Sequence, residues 1–194
     1  AEKELAIKLN IPMYACDPVY NYLGSKSGSR GIFKECGVNF PAGYENLYSE
    51  TELVSGLTKL RIEYPDLSKA VVKINEGFSG DGNAIFVYPE GDMDYDELIN
   101  WIQTHIRSHL KIVAKKLSYD HFIEKIIKTG GIVEAFVTGT EVTSPSVQCR
   151  INPLGEVCVI STHDQVLSGE NQQIFAGANF PASDDYSVEL SEIT

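Results

Sequence analysis

The chain has 194 residues, of which 43% are hydrophobic and 22% charged, a composition typical of a globular protein and not of a disordered one. Its net charge of -11 argues against a general nucleic-acid-binding or anionic-membrane-binding protein, because both need a basic surface. No apolar run approaches the length of a membrane span and nothing resembles a signal peptide, so we expect a cytoplasmic protein.

The amino-terminal third predicts helices separated by turns. Its first 18 residues indicate the end of a helix, a short apolar run and a turn at Asp17-Pro18. A Gly/Ser loop then leads into a short helix over about 26–36, with Gly37 as its C-cap. A further helix is predicted in ETELVSGLTKLRIEYP, where Pro65 ends it.

Residues 70–87, AVVKINEGFSGDGNAIFV, predict a strand, a glycine-rich loop and a second strand. Lys73 follows two valines, and a lysine in such a strand is costly to bury unless another group pairs with it. The three glycines indicate a backbone that closely approaches another group. The stretch is either a phosphate-binding loop of amides and an ammonium group, or a glycine hairpin beside a snorkelling lysine. It matches neither GxxxxGKS/T nor a helix-opening GxGxxG.

Two helices are predicted after this loop. Across residues 95–117 the apolar residues recur at intervals that place them on one face of a long helix: Leu98, Ile102, Ile106, Leu110, Val113 and Leu117. Ser118 is the predicted N-cap of the next helix, which ends at Gly130-Gly131. The predicted apolar face of this helix consists of Phe122, Ile123, Ile126 and Ile127. His105 and His109 have a spacing that can bind a metal, but without HExxH we interpret them as a solvated helix face.

The remainder of the chain predicts strands, in GIVEAFV, TEVTSPSVQCRI and EVCVISTHDQVL, with a hairpin turn at NPLG. The fold class is therefore α+β. Glu134 and Glu141 flank the turn TGT, and either present carboxylates to a ligand in a cleft or face solvent from half-buried strands. His163 and Asp164 form either a proton-transfer pair or a strand end, since adjacent strand residues point to opposite faces.

The four cysteines are scattered and form no CxxC pair, which indicates reduced, intracellular thiols without structural zinc: Cys16, Cys36, Cys149 and Cys158. The last two flank the predicted hairpin, and we interpret them as small buried hydrophobes. The acidic run around Asp184-Asp185 and Glu189–Glu192 predicts a solvated tail.

In their order, these segments resemble the ATP-grasp superfamily, and specifically its carboxylate–amine ligase branch, which includes the pheganomycin-type peptide ligases. GSKSGSRGIFKECGVNFPAG resembles the segment with the family's first lysine, before a helix that ends in G-V-x-x-P. VVKINEGFSGDGNA resembles the second lysine and the flap over the phosphates, and VEAFVTGTEVTS resembles the adenine-binding connector E-x-x-V. INPLGEVCVISTHDQVLSG resembles the meander that follows.

The resemblance implies an ATP-grasp fold of two α+β lobes with a nucleotide cleft between them, incomplete at both ends. It implies that Lys26 and Lys73 contact the nucleotide phosphates, and that the flap is formed by Gly77, Phe78, Ser79, Gly80, Asp81 and Gly82. Glu134 would be the connector acid, with the backbone of Ala135 and Val137 facing the adenine and Glu141 binding the ribose. Arg150 is a weaker match to a basic residue near the reacting centre.

The implied reaction joins a small carboxylate to an amine through an acyl-phosphate, with ATP and Mg²⁺ as cofactors. Nothing after HDQVL matches the family's E-x-N metal segment, so we expect the magnesium ligands outside this chain. Two alternatives remain, namely a non-catalytic ATP-grasp-like module of a larger scaffold protein, and a phosphotransfer enzyme without an amine substrate.

The chain begins with Ala1 and stops at Thr194, and we expect it to be a piece of a longer protein whose other lobes it needs for activity. The predicted division assigns 1–20 to the end of a preceding lobe and 21–70 to the first helical part. It assigns 71–130 to the β-loop-β flap with its helices, and 131–194 to the meander that bears the connector.

Overall fold

The computed structural model describes residues 2–77, 81–169 and 174–193. Its helices are α1 (Glu2–Leu9), α2 (Lys26–Cys36), α3 (Glu50–Glu63), α4 (Tyr95–His109), α5 (Tyr119–Thr129) and α6 (Ser187–Ile193), and a 3₁₀ helix spans Pro18–Gly24. Its strands are β1 (Gly43–Leu47), β2 (Lys69–Ile74), β3 (Asn83–Val87), β4 (Leu110–Ile112), β5 (Gly131–Ala135), β6 (Pro145–Ile151), β7 (Val157–Ser168) and β8 (Ile174–Asn179).

The strands form two antiparallel sheets. One has five strands in the order β1-β5-β2-β3-β4, and the other has three in the order β6-β7-β8. The predicted α+β class is therefore confirmed. NPLG connects β6 to β7, which pair antiparallel from Ile151 and Val157 onward, as the predicted hairpin requires.

The hydrophobic core lies against one face of the five-stranded sheet, where it includes Leu53, Leu57, Leu60, Val72, Phe86, Ile102 and Phe122. Burying one such side chain fully contributes about 1.5–3 kcal/mol. Because side chains alternate along a strand, β2 directs Ala70, Val72 and Ile74 into this core and Val71 and Lys73 to the opposite face. That opposite face forms a wall of the candidate site.

Local capping signals set most helix ends. The hydroxyls of Ser25 and Ser118 accept backbone N–H groups at the starts of α2 and α5, and Asp94 forms a capping box with Glu97 at the start of α4. Gly37 has a φ of 69°, in the left-handed region that favours glycine, and it ends α2. The predicted roles of Ser118 and Gly37 are confirmed.

The prediction of one helical face as far as Leu117 is wrong. Helix α4 ends at His109, and Leu110–Ile112 form β4, which pairs with β3 at the edge of the sheet. The helical spacing of apolar residues extends past His109 because residues of the edge strand also face the core. Periodicity alone could therefore not locate the transition from α4 to β4. Ile127, predicted on the apolar face of α5, is 58% exposed.

Two side-chain predictions also need correction. His105 and His109 are half-buried instead of solvated, and their rings pack against Trp101 with centroids 4.5 and 4.6 Å from its ring. Cys149 and Cys158 are only partly buried, and they are free thiols.

In the acidic tail, Asp184, Asp185, Glu189 and Glu192 are exposed, although α6 makes part of this segment helical. Within the described ranges, no helix combines the length and apolarity needed to cross a membrane.

Candidate nucleotide-binding cleft

A cavity of about 590 Å³ lies between the two sheets. The five-stranded sheet contributes β2 and β5 to its wall, the three-stranded sheet contributes β7, and the segment between β5 and β6 connects the two sides. The lining residues are Pro41, Val71, Lys73, Glu134, Ala135, Phe136, Val137, Val142, Thr143, Ser144, Asp164, Gln165, Leu167 and Tyr186. Such a cleft, which combines apolar side chains with polar and charged ones, is typical of small-ligand sites.

Charged side chains converge at the end of the cavity nearest α2. Glu134 is 8% exposed, and the two oxygens of its carboxylate have different partners. Oε1 pairs with the ammonium of Lys73, and Oε2 lies 3.3 Å from Nη1 of Arg30. The strand register places Val71 opposite Glu134, so that Lys73 reaches the carboxylate diagonally across the sheet. Glu134 is thus paired from both sides.

Lys26, at the start of α2, does not line the cavity but is close enough to Lys73 and Glu134 for their charges to act on it. Burial and the positive charge of Lys73 lower the pKa of Lys26, and the negative charge of Glu134 opposes this shift in part. Among the described residues, no carboxylate forms an ion pair with Lys26, whereas Glu134 already has two cationic partners. The cluster therefore has an ammonium group that a bound anion would stabilise.

Asn75 connects the elements that carry these lysines. It is buried immediately after β2, and its Oδ1 accepts both the backbone N–H and the hydroxyl of Ser27, at 3.0 and 2.8 Å. Its side-chain amide donates to the Thr129 carbonyl, at 2.9 Å. Since Ser27 follows Lys26 and Asn75 lies two residues after Lys73, these bonds hold the two lysines close together.

The described parts of the glycine-rich loop approach each other. A Cβ atom on Gly82 would lie 2.6 Å from the Cα of Gly77, which is too close for two carbon atoms. The Ile74 N–H donates to the Gly82 carbonyl at 2.9 Å, and the Gly77 N–H donates to the Ile74 carbonyl at 3.1 Å. These two glycines are therefore required where the loop closes on itself, so the close backbone approach predicted from the sequence occurs between parts of the loop.

The comparisons with known proteins agree with this geometry. A model of the family described as "IQCH-like, ATP-grasp" matches residues 18–88 and 91–194. The chain belongs to the IQCH-like ATP-grasp family. The predicted membership of the ATP-grasp superfamily is thereby confirmed.

Two named proteins are similar in sequence to this ATP-grasp chain. The IQ motif-containing protein H of Danio rerio is 26% identical in a 189-residue alignment that covers 84% of this chain and 18% of that protein. The L-propargylglycine–L-glutamate ligase of Streptantibioticus cattleyicolor is 31% identical over 173 residues, which cover 87% of this chain and 33% of the ligase. The chain thus spans 18% of the length of the first relative and 33% of the length of the second.

The structure also matches a solved ATP-grasp protein. The N5-carboxyaminoimidazole synthetase of Staphylococcus aureus, complexed with ADP, superposes with a TM-score of 0.53 and 14% identity over 90% of this chain and 37% of that one. At this identity the likeness shows the fold, and the ATP-grasp fold predicted from the sequence is confirmed.

The ATP-grasp structure brings some of the predicted site residues together and leaves others apart. Lys73, Glu134, Ala135 and Val137 line the cavity, whereas Lys26 does not line it but interacts electrostatically with Lys73. Gly77, Asp81 and Gly82 lie where the described loop meets the sheet, and the predictions for Phe78, Ser79 and Gly80 fall outside the described residues. Glu141 and Arg150 are exposed and do not line the cavity. The ligand-binding roles of all of them stay predictions.

Sequence reasoning missed Arg30 and left Asp164 unassigned. Arg30 stands four residues after Lys26, and this helical spacing is the signal that could have placed both cations on one face. Asp164 lines the cavity, where it accepts the Ser183 N–H at 2.9 Å and the hydroxyl of Tyr186. It thereby holds the segment before α6 against the cleft.

The described residues do not fit a magnesium ion. Mg²⁺ takes oxygen ligands, usually one or two carboxylates with phosphates and water. Among residues 2–77, 81–169 and 174–193 no three His, Cys, Asp or Glu side chains form a group that could hold a metal. Of the two described carboxylates that line the cavity, Glu134 is already paired with two cations, and Asp164 accepts hydrogen bonds from Ser183 and Tyr186.

Proposed function

We propose that this chain is the nucleotide-binding part of an ATP-dependent carboxylate–amine ligase, and that ATP binds in the cavity between the two sheets. One observation carries the proposal, namely that Lys73 lines this cleft and that Lys26, although not part of the lining, is held close enough for the two charges to interact. Because burial and mutual repulsion disfavour two adjacent ammonium groups, a polyanion beside them would recover free energy. A triphosphate is such a group.

The rest of the cavity offers surfaces for the nucleoside. Val71, Val142 and Leu167 supply apolar contacts for a base, and the backbone from Ala135 to Val137 would face its polar edge. We keep Glu141 as the ribose acid of the family pattern, although it would have to turn toward the cavity. The amides of the glycine-rich loop would cover the β- and γ-phosphates.

In the proposed reaction, a carboxylate oxygen attacks the γ-phosphorus while the bond to the bridging oxygen breaks, which gives an acyl-phosphate and ADP. An amine nitrogen then attacks the acyl carbon, loses a proton and displaces phosphate. Lys26 and Lys73 would stabilise the charge that moves between phosphate oxygens. Magnesium would add to this charge stabilisation, with ligands in other parts of the parent protein. The substrate contacts and remaining lobes would also lie there, in keeping with the part of each relative that this chain covers.

A non-catalytic nucleotide-binding module in a larger scaffold protein is the second candidate. The description of the matching family and the Danio rerio relative favour it, because neither name gives a reaction. The full-length protein separates the two candidates, since a ligase consumes ATP in the presence of a carboxylate and an amine. A module would bind ATP without turnover.

The first test is isothermal titration of the full-length protein with ATP. We expect Lys73→Ala and Lys26→Ala each to weaken binding by roughly tenfold or more, because each removes a charge-assisted contact to phosphate. Lys128→Ala is a matched control, since Lys128 is exposed on α5 and does not line the cavity. Equal affinities for all four proteins would contradict the proposed site.

A further inference from the structure

Arg30 is a buried cation behind the wall of the cavity. Its side chain is 5% exposed, although it belongs to α2, whose neighbouring residues from Ile32 to Cys36 are exposed. An arginine that is removed from water in this way needs partners for its charge and its N–H groups.

The partners of Arg30 come from three other parts of the chain. Nε pairs with Glu45 of β1 at 3.2 Å, and Nη1 lies 3.3 Å from Glu134 of β5. Nη1 also donates to the Pro41 carbonyl at 2.9 Å, and the guanidinium lies 4.7 Å from the centre of the Phe40 ring. The planar fork of arginine can satisfy these groups together, whereas the point charge of a lysine cannot.

The contact with Glu134 links Arg30 to the cavity. Glu134 presents one oxygen to Arg30 and the other to Lys73, and Lys73 lines the cavity. Without Arg30 the carboxylate would lose one of its two ion-pair partners and be free to rotate, and more of its negative charge would be opposed by Lys73. Both changes would reduce the attraction that Lys73 exerts on a phosphate.

We propose that Arg30 is a positioning residue for phosphate binding, which acts through Glu134 to hold Lys73 toward the cavity. The inference rests on the proposed function, because it takes the ligand of Lys73 to be a nucleotide phosphate. In this arrangement Glu134 is an internal counter-ion shared by two cations. Its carboxylate orients the phosphate-binding group and does not recognise the base.

The test compares ATP with adenosine in the full-length protein, by competition against a fluorescent ATP analogue. Arg30→Met should weaken ATP binding by roughly tenfold, the size of a typical coupling between contacting charged groups. Adenosine affinity should change by less than about twofold, because adenosine has no phosphate for Lys73 to contact. General damage to the fold would weaken both ligands.

A double-mutant cycle tests the route through Glu134. In a Glu134→Gln background, Arg30→Met should cost less than about threefold in ATP affinity, since the carboxylate through which Arg30 acts is gone. If the Arg30→Met protein does not fold, Arg30→Lys replaces it, because lysine keeps the positive charge. The Arg30→Lys protein should bind ATP more weakly than the wild type and adenosine equally well. Arg107→Met is the matched control, because Arg107 forms an exposed ion pair with Asp120 and does not line the cavity.

The outcomes separate this inference from the proposed function. If the wild-type protein does not bind ATP, the proposed function and the inference fail together. If the wild type binds ATP and the Arg30 variants bind it equally well, the inference alone is wrong. Equal losses for ATP and adenosine, or an undiminished loss in the Glu134→Gln background, would also overturn it.

Discussion

The interpretation of Glu134 from the sequence differs from the role that the structure gives it. By strand alternation alone it could face solvent, and by family resemblance it is the connector acid. In the structure it is a buried carboxylate between Arg30 and Lys73. The free-energy cost of burying an unpaired carboxylate is far larger than the stabilisation from a surface ion pair. Glu134 can therefore be buried here only because the two cations pair with it.

Lys26 leads to a prediction about pH. Its pKa lies below the ordinary value of 10.5 because burial and Lys73 disfavour the charged form. The ammonium form therefore costs folding stability below the lowered pKa, and this cost is relieved as the pH rises from the lowered pKa to the ordinary value of 10.5. ATP should bind the ammonium form, so its affinity should fall as the pH rises through the same range.

The measurement is a series of ATP titrations from about pH 7 to about pH 10, below the ordinary lysine pKa. Lys26→Met should bind more weakly than the wild type at the lower pH and should lose this dependence on pH. A wild-type affinity that stays constant over the series would show that Lys26 does not titrate with the ligand.

At the scale of elements, the β2–loop–β3 unit shows which glycines have a structural role. Gly77 and Gly82 approach closely where β2 and β3 are joined, and the Ile74 N–H bonds to the Gly82 carbonyl. Gly82→Ala should lower the free energy of unfolding by about 1–3 kcal/mol, because the backbone must shift to admit the methyl group. It should also weaken ATP binding, since the loop is displaced.

Gly31→Ala is the control for this substitution. A Cβ atom at Gly31 meets nothing within 4 Å, and alanine in a helix such as α2 should stabilise the protein by about 0.5–1 kcal/mol. Chemical denaturation measures both variants. A Gly82→Ala protein as stable as the wild type would mean that the loop closes without close contact between the two glycines.

The helices were more predictable than the strands. Ser118, Gly37 and the apolar intervals of α4 and α5 are local signals, because helical bonds join residues four apart. Strands β1, β4 and β8 were not predicted, since an edge strand becomes regular only by pairing with a neighbour that is distant in sequence. Leu110 marks this boundary, because it satisfies both the helical pattern and the strand pairing.

At the scale of the whole molecule, the cleft depends on two sheets and the segments between them. Asp164 of β7 holds Ser183 and Tyr186, so that the approach to α6 forms part of the wall. A ligand that contacts both sheets should stabilise the folded chain by mass action. With free ATP at about 100 times its dissociation constant, the expected gain is about 2.7 kcal/mol.

Thermal unfolding with and without ATP measures this gain as a rise in the melting temperature. Lys73→Ala should lose most of the rise at the same ATP concentration, whereas the exposed control Lys128→Ala should keep it. A rise of equal size in Lys73→Ala would indicate that ATP binds elsewhere on the protein.

The sequence by itself determined the α+β class, most of the helix ends and the order of segments that resembles an ATP-grasp protein. Each of these depends on residues close together in the chain, through caps, turns and periodic burial. Only the tertiary structure decided that Glu134 is buried between two cations and that Arg30 is one of them. Those two residues are 104 positions apart, and burial makes their pairing necessary only when folding brings both out of water.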